Sequence, residues 1–539
     1  MNANTESSGQ STPMSPMSAA NKKLFLCCFA ALVATSFGFI LRVFAIDDWA
    51  VAFNLTETQK GEIFGVGLWP FAISIVLFSL VIDRIGYRTA LIFAFVCHVL
   101  SAVLTITANG YWSLYTGTFI VAIANGTVEA VINPVIATAF RKDKTKWLNM
   151  LHAGWPAGLM IGGIFAITLG GDVSWKVKIA LILIPTLVYG VMMLGVKFPI
   201  NERVAAGVPY KTMLQEVGAF GMAIIAWMIV WEVGRVFGFP PALKWALVLA
   251  VVAGYAFYTR SLGRPLLVFL LVVMIPLATT ELGTDSWITS LVAPEVGKLG
   301  INPGWVLVLT SLVMMVLRFV AGPIIHKLSP VGLLAVASAI AAVGLGALSM
   351  ATGVAIFAAA VVYALGKTFF WPTMLGVVAE QFPKGGALTL NAMGGVGMLA
   401  AGVVGAQLLG GIQDTAIDKG LLAYDQKNNT QLHSSITVEK EGTFGAYRAV
   451  DQAALATANP ATVQAVGAAT GAAKKEALRM VGIFPLFMLV CFTGLFLYFK
   501  KRGGYKAVEL ETLSVERPAG VSHSVARAAE TGSRSPAGM

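Results

Sequence analysis

Apolar stretches of about twenty residues recur along the whole chain, near 23–46, 61–82, 88–109, 112–139, 148–171, 177–198, 217–237, 242–260, 265–292, 303–326, 331–350, 352–380, 386–411 and 477–500. A helix of roughly 20 apolar residues crosses a bilayer core. Lipid offers no partner to a free backbone amide, so each stretch predicts a spanning α-helix. Of the 539 residues, 57% are hydrophobic and 12% charged. The mean hydropathy is +0.77. No soluble core of this size needs so much apolar surface. The expected fold class is therefore all-α and polytopic, with about fourteen transmembrane helices.

The net charge of +11 does not point to nucleic acid. Lys22, Lys23, Arg84, Arg88, Arg141, Lys142, Lys144, Lys146, Arg203, Lys211, Arg260, Arg264, Lys327, Lys384, Lys500, Lys501 and Arg502 all fall in loops on one side. The opposite loops hold little beyond Lys60, Lys176, Lys178, Lys244 and Lys298. The positive-inside rule puts the basic side, and both termini, in the cytoplasm. The expected location is a cell membrane, a bacterial inner membrane in particular. An even number of spans is required. Fourteen satisfies it, and so does twelve if 217–260 forms a re-entrant or interfacial pair.

The chain then divides into a disordered tail (1–22), a six-helix bundle (23–200), a linker with an inserted helical hairpin (201–264), a second six-helix bundle (265–506) and a disordered tail (507–539). Within the second bundle, residues 412–475 are polar and rich in Ala, Thr and Gln. This excursion on the outer side either folds as a small cap or stays disordered. The four cysteines, Cys27, Cys28, Cys97 and Cys491, lie in apolar stretches without metal-ligand spacing. No disulfide framework, metal or cofactor is expected.

Glu129 and Glu281 sit inside apolar stretches, one in each half. An ionisable group in hydrocarbon is costly and marks a bundle interior or a water-filled path. A carboxyl out of water is expensive to ionise, the condition for loading and releasing a proton. Glu129 precedes Asn133 by four residues, so the two share a helix face. Pro134 frees a backbone carbonyl nearby. The other reading of Glu129 is a structural acid neutralised by an Arg of another helix, such as Arg42. Glu281 and Asp285 are also four apart, and two close acids rarely ionise together. They bind a proton, sodium or sugar hydroxyls, or else lie solvated near the outer mouth.

Arg42 and Lys367 are the cations most central to spans. They clamp a carboxylate together, or each pairs with an acid. Glu232 and Arg235, in the inserted hairpin, are placed to pair with each other. His152 is a packing residue or lines the cavity. Trp155, Trp287, Trp371, Trp69 and Asn391 are candidate solute contacts, since aromatic faces stack on sugar C–H surfaces and amides bridge hydroxyls. Tryptophans at span ends also form the ordinary interfacial belt.

The loop after the second stretch reads Ser79-Leu-Val-Ile-Asp83-Arg84-Ile-Gly86-Tyr87-Arg88. It resembles the signature loop of the major facilitator superfamily, Gly-x-x-x-Asp-Arg-x-Gly-Arg-Arg/Lys, with Ser79 in place of the first glycine. The resemblance implies a conformational gate made by Asp83, Arg84, Gly86 and Arg88. Arg318, in a weaker echo in the second half (Arg318 to Pro330), joins it as a gate or scaffold residue.

Asn125-Gly-Thr-Val-Glu129-Ala-Val-Ile-Asn133-Pro134 resembles the Glu-Thr-Ala-Ala-Asn-Pro segment of the fucose–galactose–glucose proton symporters, whose glutamate couples proton and sugar. Phe53 to Gly61, Leu148-Asn149-Met-Leu-His152, and Glu281 preceding Trp287 by six residues resemble the same branch. Relatives carry an aspartate deep in the first span. Here the matching place is near Val43, with Arg42 beside it, and Asp47 and Asp48 lie farther outward. An Arg where an acid is usual suits an anionic solute.

No hydrolase elbow, zinc-protease helix, phosphate-binding loop or dinucleotide fingerprint occurs. The expected protein is not an enzyme. It is a secondary active transporter of a small polar solute, by sugar–proton symport and alternating access. The alternatives are an organic-anion (uronate-like) carrier using Arg42 and Lys367, or a transporter-derived solute sensor. The expected partners are the solute, a proton (or sodium) and the lipid bilayer, with the chain acting as a monomer.

Overall fold

The computed structural model describes residues 18–170, 173–442 and 445–510. The expected disorder of 1–17 and 511–539 lies outside the described residues. Helix occupies every apolar stretch named above. Twelve helices among the described residues are long and apolar enough to cross a membrane, and thirteen with the pair Ile288–Leu299 and Gly304–Phe319, which bends by 116°. The stretch at 386–411 is helical in consecutive pieces: Gly386–Leu399, Ala400–Gly405 and Ala406–Asn428.

The first helix, Ala19–Phe53, begins four residues before its apolar stretch because Ser18 caps it, accepting from Asn21 N at 3.1 Å. The second span is broken. Thr56 and Gln59 form a reciprocal capping box that starts Glu57–Val66, and Trp69–Ile85 follows after a two-residue step. The remaining spans of the first half are Tyr87–Ile106, Tyr111–Ala139, Arg141–Leu169 and Trp175–Leu194.

Small residues set the helix spacing. A Cβ on Gly126 would fall 1.9 Å from Ser74 Oγ and 2.1 Å from Phe71 O. A Cβ on Gly158 would fall 2.0 Å from Ser36 Oγ. In lipid, where apolar side chains gain nothing by leaving their solvent, such backbone approach supplies the packing energy. Gly126→Ala is expected to destabilise by about 1–3 kcal/mol through overpacking. A melting curve unchanged from the parent protein would refute the close approach of the second and fourth spans.

The inserted pair, Tyr210–Val236 and Pro241–Thr259, is a hairpin of two full helices. Its first helix packs on Pro265–Ala278 and Gly386–Leu399. The second turns Trp245, Leu249 and Phe257 outward, which suits lipid. Near its base, Ala219 N donates to Ser261 O (2.9 Å) and Arg264 N to Glu216 O (3.0 Å). Gly218 has φ +59°, and a Cβ there would lie 2.0 Å from Gly263 N. Glu232 and Arg235 pair at 2.6 Å.

The polar excursion of the second half is folded. Ala406–Asn428 and Pro460–Val481 pack side by side, and strands Thr437–Gly442 and Gly445–Val450 form an antiparallel hairpin, Thr437 opposite Val450. Ile417, Leu421, Ile436, Val450, Val466 and Ala473 make its small core. The apolar residues at 417 and 421, and at 466 and 473, recur at helical spacing. The packed core and paired strands show that the excursion is a cap. The most extensive packing between the two halves is of Gly154–Leu169 with Gly304–Phe319, Trp69–Ile85 with Gly386–Leu399, and Lys144–His152 with Phe370–Gln381.

Candidate functional site

Three prolines prepare the centre of the molecule. Proline has no N–H, so the carbonyl four residues earlier in a helix loses its partner. Pro134, Pro156 and Pro372 thereby free the carbonyls of Ala130, His152 and Thr368. Each is taken by a side chain from the second half. Asn391 Nδ2 donates to Ala130 O at 3.1 Å. Arg318 Nη1 donates to His152 O at 2.8 Å and its Nε to Thr368 O at 2.7 Å. Buried carbonyls require such partners.

A hydrogen-bonded chain crosses between the halves through these groups. Glu129 is 5% exposed. Its Oε2 accepts from Asn133 Nδ2 at 2.6 Å. Asn133 Oδ1 lies 2.8 Å from His152 Nε2, which places the imidazole proton on Nε2. The main chain of His152 passes the connection to Arg318. Arg318 Nη2 then donates to Glu281 Oε1 at 2.7 Å, and Glu281 Oε2 accepts from Trp371 N at 3.0 Å. Arg318 and Glu281 are both buried, and the ion pair with two further carbonyls satisfies the guanidinium.

Lys367 forms an ion pair with Asp285, and its ammonium also lies 5.1 Å from the centre of the Tyr363 ring. Glu281 and Asp285 thus face separate cations. Glu281 sits in a π-helical turn, Thr279–Gly283, packed against a second one, Ala400–Gly405. Such turns shift the side-chain register and recur at functional sites.

A cavity of about 270 Å3 is lined by residues of both halves, and Glu129, Asn133, His152, Arg318 and Glu281 are not among them. Phe39, Val43, Phe64, Trp155, Asp285 and Met398 line it, and its rim reaches Asp47, whose side chain is 81% exposed. Asp47 and Asp48 pair outward, with Lys60 (2.7 Å) and Lys178 (3.1 Å). Trp155 Nε1 is buried and has no hydrogen-bond partner among the described residues. Trp371 is buried against Gly397, and Trp69 stacks on Phe119 and Phe237 rather than lining the cavity. The side chain of Trp287 lies outside the described residues. Arg42 does not reach Glu129. It donates to Thr105 Oγ1 (2.8 Å) and Ser101 Oγ (2.9 Å).

The basic side of the cavity is closed. Asp83 Oδ2 pairs with Arg203 Nη2 at 2.6 Å. Gly86 turns with φ +81°, Arg88 Nη2 donates to Val196 O at 2.7 Å, and Arg84 lies over the Tyr210 ring. Glu380 ties the halves together: its Oε1 accepts from Thr145 N (3.0 Å) and Thr145 Oγ1 (2.5 Å). Its Oε2 accepts from Tyr505 Oη at 2.8 Å. Lys144 pairs with Glu202 at 2.7 Å. Arg203, Glu380 and Lys144 carry no sequence signal of this role. They stand at span ends, where any charge reads as a boundary. Arg318 is not part of this closure but lies with Glu281. Glu380→Ala is expected to loosen the basic side. Labelling of a cysteine placed at Ala137 from that side should rise several-fold, and unchanged labelling would count against the latch.

Helices of membrane-spanning length from both halves meet around a cavity lined mainly by apolar and aromatic side chains, the architecture of a membrane transporter with many spans. The family model described as Major Facilitator Superfamily matches residues 25–406. The chain belongs to that family. Among solved structures it is similar to the fucose:proton symporter FucP of E. coli, at 13% identity and TM-score 0.53, covering 86% of this chain and 98% of that one. It is similar to the proton:xylose symporter XylE (13%, TM-score 0.57, 88% and 95%). It is also similar to the human organic anion transporter MFSD10 (11%, TM-score 0.55, 88% and 98%). At these identities the likeness is one of fold. No curated protein matches the chain.

Proposed function

We propose that this protein carries a small polar solute through the membrane by symport with a proton, Glu129 being the proton site. One observation carries the reading. Glu129 is buried, and among the described residues it has no cation, whereas Glu281 and Asp285 each have one. An ionised carboxylate without a partner is tolerated only where water reaches it. Proton loading removes that charge, so the loaded carrier can close around its cargo. Asn133 and His152 then link the protonation state of Glu129 to the Arg318 junction between the halves.

Alternating access follows from the arrangement. The latches at Asp83–Arg203 and Glu380–Thr145 hold the basic side shut while the cavity reaches the other side. Rocking of one bundle on the other breaks them and exposes the site to the basic side, and the loop charges favour that side as the cytoplasmic one. FucP and XylE are named as sugar:proton symporters, which supports a monosaccharide-like solute. The protein acts as a monomer, with each chain holding a complete cavity. The test is uptake into proteoliposomes with an imposed pH gradient. Accumulation that follows the pH gradient and ignores a sodium gradient is expected. Binding without flux would instead make the protein a sensor.

A further inference from the structure

Arg42 is a buried cation without an anion. It is 6% exposed, and among the described residues no carboxylate pairs with it. Its two terminal nitrogens go to neutral hydroxyls, and Nε has no partner. A buried charge left unpaired is strongly destabilising. Thr118 Oγ1, on a side chain 4% exposed, is also buried without a partner. Arg42, Thr118 and Asn125 line a second cavity of about 30 Å3. Phe39, Val43 and Phe64 line this annex and the main cavity alike. The two spaces therefore adjoin.

We propose that the annex is an anion subsite: the transported solute carries one carboxylate, which Arg42 and Thr118 bind while the rest of the molecule fills the main cavity beside Trp155. This names the solute class of the carrier proposed above and rests on that reading. The annex has room for one or two water-sized groups. That fits the head of a carboxylate and not the body of a solute. An arginine beside a hydroxyl is apt for it, since guanidinium–carboxylate hydrogen bonds are short and strong. Trp155 Nε1, the free donor on the main cavity, suits an oxygen-rich body.

Charge balance gives the subsite a mechanistic role. Glu281 is matched by Arg318 and Asp285 by Lys367. Among the described residues, two charges at the centre have no ionic partner, Arg42 and Glu129. A carboxylate on Arg42 and a proton on Glu129 neutralise both. Either ligand alone leaves one buried charge exposed to closure. Coupled transport of monoanion and proton is the outcome.

The test is equilibrium binding to the purified full-length protein by thermal shift and calorimetry. The probes are glucuronate against glucose, lactate against lactamide, and benzoate against benzamide, with chloride as a separate arm. At least one carboxylate is expected to bind ten-fold or more tightly than its neutral counterpart. Arg42→Gln should erase that preference, Arg42→Lys should keep part of it, and Thr118→Val should weaken it several-fold with less risk to folding. Glu129→Gln should retain the preference while losing pH-driven uptake, which separates failure of this inference from failure of the coupling assignment. Three results would overturn the subsite: no carboxylate preferred over its neutral partner, a preference that survives Arg42→Gln, or chloride binding as well as any carboxylate.

Discussion

Proteoliposomes carrying Glu129→Gln are expected to lose uphill accumulation altogether while keeping exchange of solute across the membrane. For one proton per solute, each pH unit of gradient supplies about 1.4 kcal/mol, a factor of ten in concentration. A gradient of two units should thus drive about hundred-fold accumulation by the parent protein and none by the variant. Glutamine keeps the shape and can still hydrogen-bond Asn133, whose amide lies 2.6 Å from the carboxylate. The junction beyond it should stay assembled, and the protein should still rock between its two faces. Exchange reads that motion without needing a proton. Unaltered accumulation with its normal pH dependence would move the coupling site elsewhere, with Asp285 the next place to look.

The second large effect is expected at Arg318. Arg318→Met leaves Glu281 buried without a cation, and His152 O and Thr368 O without a donor. Removing one partner of a buried pair costs about 3–5 kcal/mol. Each orphaned carbonyl adds about 1–3 kcal/mol, less whatever relaxation recovers. A fall in Tm large enough to reduce the folded yield should follow. The double variant Arg318→Met with Glu281→Leu should recover a large part of it, because the stranded charge is gone. Transport by the double variant should remain poor, since the halves lose their shared junction. Equal stability of the single variant and the parent protein would mean that Arg318 is not the tie described above.

Much of this architecture is visible in the sequence. The spans follow from backbone chemistry in lipid, which leaves a chain of twenty apolar residues little besides helix. The inserted hairpin and the acids of the two halves follow from the same run of apolar residues and its interruptions. The cap at 412–475 was less legible. Its apolar residues are few, and Ile436 and Val450 reach the small core only once the strands pair. The loop holding Asp83 and Gly86 was visible through its spacing, but the partner of Asp83 was not. Arg203 lies 120 residues away in the linker, and nothing local marks it.

The sequence by itself determined that the chain is a series of apolar helices of membrane-spanning length, and that carboxylates and cations lie within them. It also placed the prolines that free carbonyls at 130, 152 and 368, since that consequence is confined to one turn of helix. Only the tertiary structure decided who answers them. Arg318 is 166 residues from one such carbonyl and 50 from another, and Asn391 is 261 residues from the third. Pairing of buried charges depends on distances of a few ångströms between helices remote in the chain. Composition and periodicity set the cost of burying Glu129 and Arg42. The packing of the bundles alone decided that, among the described residues, neither has a counter-charge.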